Sequence, residues 1–147
     1  MPTLPPASPT DRKRASYWAI LVAAVIFLAS SRSRVAAPNV ANVDKYAHFF
    51  VYGLLGTLLV RALGGWRGAA WAALALASAY GVTDEFHQSF VPGRSCEVAD
   101  WVADTSGAAL AIGLYVLWAW YRGLLEQPLG RKRRIENRVA TAKVAVP

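Results

Sequence analysis

Residues that can exchange protons or bind anions are concentrated between positions 79 and 107, where the sequence reads AYGVTDEFHQSFVPGRSCEVADWVADTSG. Aspartate and histidine side chains can act together as a general acid and base, and an arginine can bind phosphate or carboxylate. Long apolar runs flank this segment on both sides. Because a charged side chain at a bilayer centre costs about 2.5–3.5 kcal/mol, we expect these residues to be retained for a function.

The spacing of the polar residues places several of them on shared helical faces. Side chains three or four positions apart in a helix are neighbours on its surface. Three sets have this spacing: Asp44, His48 and Tyr52; Asp84, His87 and Gln88; and Asp100 with Asp104. Between the second and third sets, the sequence VPGR that ends at Arg94 is typical of a turn. Three helices that end on one side would bring these side chains into one shallow pocket.

The elements that must position these residues are apolar and long. The 147-residue chain is 55% hydrophobic and 17% charged, against about 25% charged in soluble domains. Four apolar segments occur, at about 17–31, 46–63, 68–83 and 101–120, and about 20 residues are needed to cross a bilayer. The sequence therefore predicts an all-α fold, an integral membrane bundle of four transmembrane helices.

The basic residues predict the orientation of this bundle. With the N-terminus inside, Arg32, Arg34, Lys45 and Arg94 are the only ones of the 16 that fall outside, as the positive-inside rule favours. Both termini are then cytoplasmic, and the polar residues lie at the outer leaflet. A basic stretch at residues 12–14 before the first apolar segment is also typical of a cleaved signal peptide, and this alternative leaves the later topology unchanged.

Three regions are predicted along the chain. Residues 1–14 would form a disordered basic tail, residues 15–122 the four-helix membrane domain, and residues 123–147 a basic cytoplasmic tail. The net charge of +7 is interpreted as a topology signal, so no nucleic-acid partner is expected. The single cysteine, Cys96, excludes an intramolecular disulfide.

Small residues predict close helix packing. On the third helix they recur every fourth position, which allows a neighbouring backbone to approach. They are Ala69, Ala73, Ala77 and Gly81, with a comparable pair at Ala109 and Gly113 on the fourth helix.

Four stretches of the sequence resemble the VanZ-like family of bacterial multi-pass membrane proteins. They read DKYAHF, TDEFHQ, PGR and DWVADTSG and lie within residues 43–115. The resemblance implies a helical protein of the bacterial cytoplasmic (inner) membrane, and the name-giving member is associated with resistance to the glycopeptide teicoplanin. Carried over residue by residue, it points to Asp44, Lys45, His48, Tyr52, Asp84, Glu85, His87, Gln88, Arg94, Asp100, Asp104 and Gly107.

The candidate site residues divide into two groups by chemistry. Those assigned to catalysis are His87, Asp84, His48 and Asp104, of which His87 is the preferred acid–base residue because it lies nearest the loop. Those assigned to ligand binding are Asp44, Lys45, Tyr52, Glu85, Gln88, Arg94 and Asp100. No metal ligands are assigned because a tight ligand spacing such as HExxH is lacking, and no cofactor is indicated.

Two classes of function fit such a site. In the first, an envelope protein binds a lipid-linked precursor at the outer leaflet, and Arg94 and Lys45 contact its phosphate or carboxylate groups. Such a protein would act in cell-envelope or lipid-carrier biology or in teicoplanin-type resistance. In the second, a membrane-embedded acid–base or metal-assisted hydrolase or transferase acts on a lipid-linked substrate. The partners expected in both cases are the lipid bilayer and this precursor, and the oligomeric state stays open.

Purely structural roles are alternatives for the same residues. Asp84 and Asp104 could pair with Arg94 and Lys45 to hold helix ends together. Asp100 could cap the fourth helix, and His48 could donate to Asp44. Glu85 and Glu97 are expected to be solvated.

Overall fold

A computed structural model describes residues 8–33 and 43–126. The described residues form five helices: α1 (Pro9–Ser30), α2 (Val43–Leu63), α3 (Ala69–Gln88), α4 (Val98–Leu117) and α5 (Ala119–Glu126). The all-α prediction is confirmed for this part of the chain. Residues 1–7, 34–42 and 127–147, and with them the ends of both predicted tails, lie outside the described residues.

Helix α1 begins earlier than the sequence interpretation placed it. The Ser8 hydroxyl accepts a hydrogen bond from the backbone N–H of Asp11, Pro9 occupies the first helical position, and Asp11 lies in the first turn. These are strong helix-start signals. Residues 9–14 are therefore helical, and the prediction that they belong to a disordered tail was wrong.

The fourth apolar segment is interrupted near its end. Trp118 has an extended backbone (φ −107°, ψ 93°) and separates α4 from α5, which bend by 94° relative to each other. The guanidinium of Arg122 donates to the carbonyls of Tyr115 and Val116, so it satisfies groups that the helix end leaves unpaired. The predicted span at 101–120 thus ends at Leu117, and the predicted domain boundary at 122 falls within α5.

In the part of the chain that the structure describes, two helices, α1 and α2, are long and apolar enough to cross a membrane. The bent pair α4 and α5 would add a third crossing if it counts as one span. Large apolar side chains are exposed along the bundle, among them Trp18, Phe50, Trp71, Phe86 and Leu117, as expected of a lipid-facing surface. Four crossings and cytoplasmic termini stay predictions.

Small residues set the packing of the helices. The predicted ridge Ala69, Ala73, Ala77 and Gly81 on α3 is buried throughout, which confirms it as a packing surface. The pair predicted on α4 was wrong, because Ala109 is exposed and a Cβ on Gly113 would meet nothing within 4 Å. Gly107 and Ala108 pack against α2 instead, opposite Gly53 and Gly56.

Contacts between helix ends define the arrangement that positions the site. Lys45 at the start of α2 bonds with Asp100 at the start of α4, and Ser31 after α1 bonds with His87 at the end of α3. The C-terminal ends of α1 and α3 and the N-terminal ends of α2 and α4 therefore meet. We call this end of the bundle the polar end.

Candidate functional site

The most deeply placed contact of the polar end joins α2 to α4. His48 Nδ1 donates to Asp104 Oδ1 over 2.9 Å, and both residues are buried. The sequence interpretation gave Asp44 as the partner of His48. The structure places Asp104 in that role, because α2 and α4 pack closely enough for a contact across the interface to replace one along the helix.

Lys45 forms an ion-pair bridge nearer the surface. Its ammonium lies 2.9 Å from Glu97 Oε2 and 2.9 Å from Asp100 Oδ1. Helix α4 begins at Val98 with Glu97 in the capping position, so the expectation that Asp100 caps this helix was wrong. Asp100 lies instead in the first turn, where its carboxylate faces Lys45 and is buried.

The amide of Gln88 connects the acidic residues of α3 to Arg94. Its Nε2 donates to Asp84 Oδ2 over 3.1 Å and to Glu85 Oε1 over 3.4 Å, and its Oε1 accepts from Arg94 Nη1 over 3.3 Å. Glu85 Oε2 also accepts from the backbone N–H of Glu97 over 2.7 Å. The expectation that Glu85 is solvated was wrong, since its side chain is buried by these contacts.

A turn orients Arg94. Its backbone N–H donates to the carbonyl of Val91 over 3.1 Å, and Gly93 has φ 79°, which is the pattern of a type II turn with Pro92 at its second position. The guanidinium then reaches the carbonyl of Ala29 at the end of α1. The expected pairing of Asp84 and Asp104 with Arg94 and Lys45 was wrong. Asp84 accepts from Gln88 instead, and Asp104 accepts from His48.

His87 lies apart from this network. Its Nε2 is 2.9 Å from the Ser31 hydroxyl, and its ring stacks on Phe27 at a centroid distance of 4.4 Å. It is half-buried between α1 and α3. The structure thus brings together eight of the predicted residues, Lys45, His48, Asp84, Glu85, Gln88, Arg94, Asp100 and Asp104, and places His87 beside them against α1.

Two further predicted residues adjoin His48. Tyr52 is fully buried, with its ring 6.3 Å from the imidazole of His48. Asp44 is half-buried, and its carboxylate lies within 4.8 Å of ligand atoms of His48 and Asp100. The sequence interpretation missed the roles of Ser31 and Glu97; the position of Glu97, three residues before Asp100 at a helix start, is the signal that could have revealed it.

Three buried oxygens have no hydrogen-bond partner among residues 8–33 and 43–126. They are Tyr52 Oη, Asp84 Oδ1 and Asp104 Oδ2. A buried polar atom without a partner costs about 1–3 kcal/mol, and more when it is charged. The polar end therefore has unused capacity to bind a donor or a cation.

The chemistry available at the polar end is of three kinds. The pair of His48 and Asp104 has the arrangement of an oriented general base. Lys45 and Arg94 can meet anionic groups at its margin. Two groups of side chains, one of Asp44, His48 and Asp100 and one of His48, Asp84 and Glu85, could hold a metal ion.

These features define a helical membrane protein with a buried polar cluster at one end of its bundle. A family model described as VanZ/LLP1 matches residues 11–119, and the chain belongs to this family. The match includes every residue of the polar end named above and confirms the VanZ-like resemblance. No curated protein and no solved structure matches the chain significantly.

Proposed function

We propose that this VanZ-like protein acts in the cell envelope, at the outer leaflet of the bacterial cytoplasmic membrane, by binding the charged headgroup of a lipid-linked precursor at its polar end. The observation that supports this function most strongly is the position of Arg94, whose half-buried guanidinium bonds with Gln88 at the margin of a cluster of carboxylates, Asp84, Glu85, Asp100 and Asp104, buried in an otherwise apolar bundle. Buried carboxylates are costly, and well-packed apolar residues could replace them if they served packing alone.

The surface around the polar end suits an amphipathic ligand. Phe86 on α3 and Phe90, two residues after its end, are exposed and pack edge to face, while the neighbouring Glu85 and Gln88 are buried. An apolar tail in the bilayer can contact the two rings while its headgroup reaches the polar side chains. Arg94, half-buried at the margin, is placed to meet phosphate oxygens.

Lipid selectivity tests this function. Purified full-length chain in lipid nanodiscs would be loaded with polyprenyl phosphate or with polyprenol of the same length, and bound lipid counted by native mass spectrometry. We expect the phosphate form to bind at least about tenfold more tightly, because a hydrogen bond to a charged group contributes about 1.5–3 kcal/mol. Equal binding of the two lipids would contradict the proposal.

A matched pair of variants locates the binding site. Arg94→Gln should remove most of the preference for the phosphate form. Arg67→Gln should preserve it, because Arg67 is exposed between α2 and α3 at the opposite end of the bundle. Equal losses in both variants would mean that the preference comes from net charge rather than from the polar end.

A second function, catalysis on the same class of lipid, is favoured by one observation. His48 and Asp104 form a buried imidazole–carboxylate pair, and this arrangement lets a histidine take up a proton in a general-base step. His48→Gln can form hydrogen bonds but cannot take up a proton near neutral pH. The unmodified chain should release inorganic phosphate from polyprenyl pyrophosphate. Loss of this release in His48→Gln, with lipid binding retained, would establish the enzyme.

Resistance to teicoplanin is the cellular effect that the family suggests. If the protein diverts or shields a lipid-linked precursor, its expression in a susceptible bacterium should raise the inhibitory concentration of teicoplanin. Arg94→Gln at equal protein levels should abolish the increase. An unchanged inhibitory concentration would exclude this effect and leave the lipid-binding measurement to decide the function.

A further inference from the structure

We propose that His48, Asp84 and Glu85 form a binding site for a divalent transition-metal ion, with Asp104 as a positioning residue behind His48. One ligand atom from each of the three residues lies within 4.8 Å of the others, and all three residues are buried. Metal–ligand distances of about 2.0–2.2 Å place neighbouring ligand atoms about 3–4 Å apart. Small side-chain adjustments are therefore enough to close the three ligands on one ion.

The contact with Asp104 prepares His48 to bind a metal. Because Nδ1 donates to the Asp104 carboxylate over 2.9 Å, the proton of the neutral ring is on Nδ1, and Nε2 presents its lone pair. A carboxylate that holds the second nitrogen in this way is the usual support of a metal-ligating histidine, and it fixes both the tautomer and the ring orientation.

The charges at the polar end favour a cation next to α3. Lys45 pairs with Glu97 and Asp100, and the carboxylate of Asp104 accepts the hydrogen bond from the His48 imidazole. Within residues 8–33 and 43–126, the donors to Asp84 and Glu85 are the amide of Gln88 and the backbone N–H of Glu97, which are neutral. Two buried carboxylates without a paired cation are strongly unfavourable, and a divalent ion would supply the missing charge.

An oxygen without a partner on one of the three ligands supports the same site. Asp84 is 3% exposed, and its Oδ1 has no hydrogen-bond partner within the described ranges 8–33 and 43–126. Its other oxygen is held by Gln88, so the carboxylate is oriented with one oxygen still available. This observation is separate from the clustering of acidic residues, and it supports Asp84 as a ligand.

The alternative group of Asp44, His48 and Asp100 is the weaker candidate. Asp100 Oδ1 already lies 2.9 Å from the ammonium of Lys45, and a metal ion would have to displace or tolerate that charge. Both groups need His48, and because its Nδ1 is bonded to Asp104, only one of them can use the remaining nitrogen, Nε2. The contacts favour the group on the α3 side.

The donor set indicates the class of ion. One imidazole with two carboxylates suits Mn²⁺, Zn²⁺ or Fe²⁺. Mg²⁺ and Ca²⁺ prefer oxygen ligands alone, and Cu⁺ prefers sulfur. This inference rests on the contacts of α2, α3 and α4 and is independent of whether the protein binds a lipid headgroup.

Metal binding to the purified chain tests the site without any assay of function. Untagged full-length protein in nanodiscs, stripped with a chelator, would be titrated with Mn²⁺ and followed by electron paramagnetic resonance. We expect one saturable Mn²⁺ per chain, displaced by Zn²⁺. Asp84→Asn and Glu85→Gln should each weaken binding more than tenfold, and Asp104→Asn, which removes the negative charge that holds the proton on Nδ1, about 10–100-fold.

The control is Asp11→Asn, which removes an exposed carboxylate from the start of α1, at the other end of that helix. It should bind Mn²⁺ as the unmodified chain does. Absence of saturable Mn²⁺ binding would overturn the proposal. So would an Mn²⁺ affinity in Asp84→Asn and Glu85→Gln that equals that of the unmodified chain. If Asp100→Asn loses Mn²⁺ binding and Asp84→Asn retains it, the result would overturn the proposal in favour of the group of Asp44, His48 and Asp100. If one α3 variant fails to fold, the second decides.

Discussion

Gly107 on α4 lies directly against the backbone of Phe49 on α2. A Cβ added to Gly107 would overlap the carbonyl oxygen and carbon of Phe49, so only glycine allows the two helices to approach this closely. The same approach brings Asp104, one turn earlier on α4, within hydrogen-bond reach of His48. The packing of two backbones and the geometry of the candidate site are therefore one structural feature.

The first prediction concerns this approach. Gly107→Ala should lower the free energy of unfolding by about 1–3 kcal/mol, because a rigid backbone rather than a flexible side chain must move to accommodate the methyl group. Gly113→Ala is the matched control, since a Cβ there meets nothing within 4 Å and alanine is the better helix former. Denaturation in detergent measures both. Equal stability of the two variants would show that α2 and α4 do not pack at Gly107.

The second prediction concerns the buried pair of His48 and Asp104. Asp104→Leu should cost about 3–5 kcal/mol of stability, because it leaves the partner of a buried pair uncompensated. The double variant His48→Leu with Asp104→Leu should recover much of that loss. Unfolding of the two single variants and the double variant in detergent gives the interaction free energy of the two side chains through a double-mutant cycle. Strictly additive effects would mean that the two side chains do not interact.

The all-helical composition of the fold and one packing surface were predictable because apolar length and small-residue spacing act locally. The ridge from Ala69 to Gly81 follows from residues on one helix and was found. The helix start at Pro9 was missed because the four prolines of residues 1–14 and their lack of apolar periodicity outweighed the capping signal of Ser8. The break at Trp118 was missed because Arg122, which satisfies the freed carbonyls, reaches them only through the folded backbone.

The site was predictable in its members but not in its partners. Helical spacing placed His48 and Asp104 on inward faces, since periodicity determines which face a residue occupies. It could not determine that His48 meets Asp104 rather than Asp44. Pairing across helices depends on how closely the backbones approach. That distance is set by Gly107, whose contact with the backbone of Phe49 forms only in the folded protein.

The third prediction concerns orientation in the membrane. A reporter that is active only outside the cytoplasm should be active when fused after Pro92, in the loop of the polar end, because few basic residues flank that loop. Fusions after Gly65, at the opposite end of α2, and after Gly130 should be inactive. Enzymatic activity of the three fusions at matched expression gives the result. The reverse pattern would place the polar end in the cytoplasm and remove the outer-leaflet function.

The convergence of α2 and α4 at the polar end is the claim on which the site, the lipid function and the metal proposal all depend. Its most direct test is crosslinking in native membranes of the double variant Lys45→Cys with Asp100→Cys, in a Cys96→Ser background, using a short bifunctional maleimide. Lys45 contacts Asp100 in the structure, so peptide mapping should find an intramolecular bridge in most chains. The control pair, Lys45→Cys with Arg67→Cys, spans opposite ends of α2 and should give none. Absence of the Lys45–Asp100 bridge, when each cysteine alone reacts with a monofunctional maleimide, would contradict the account.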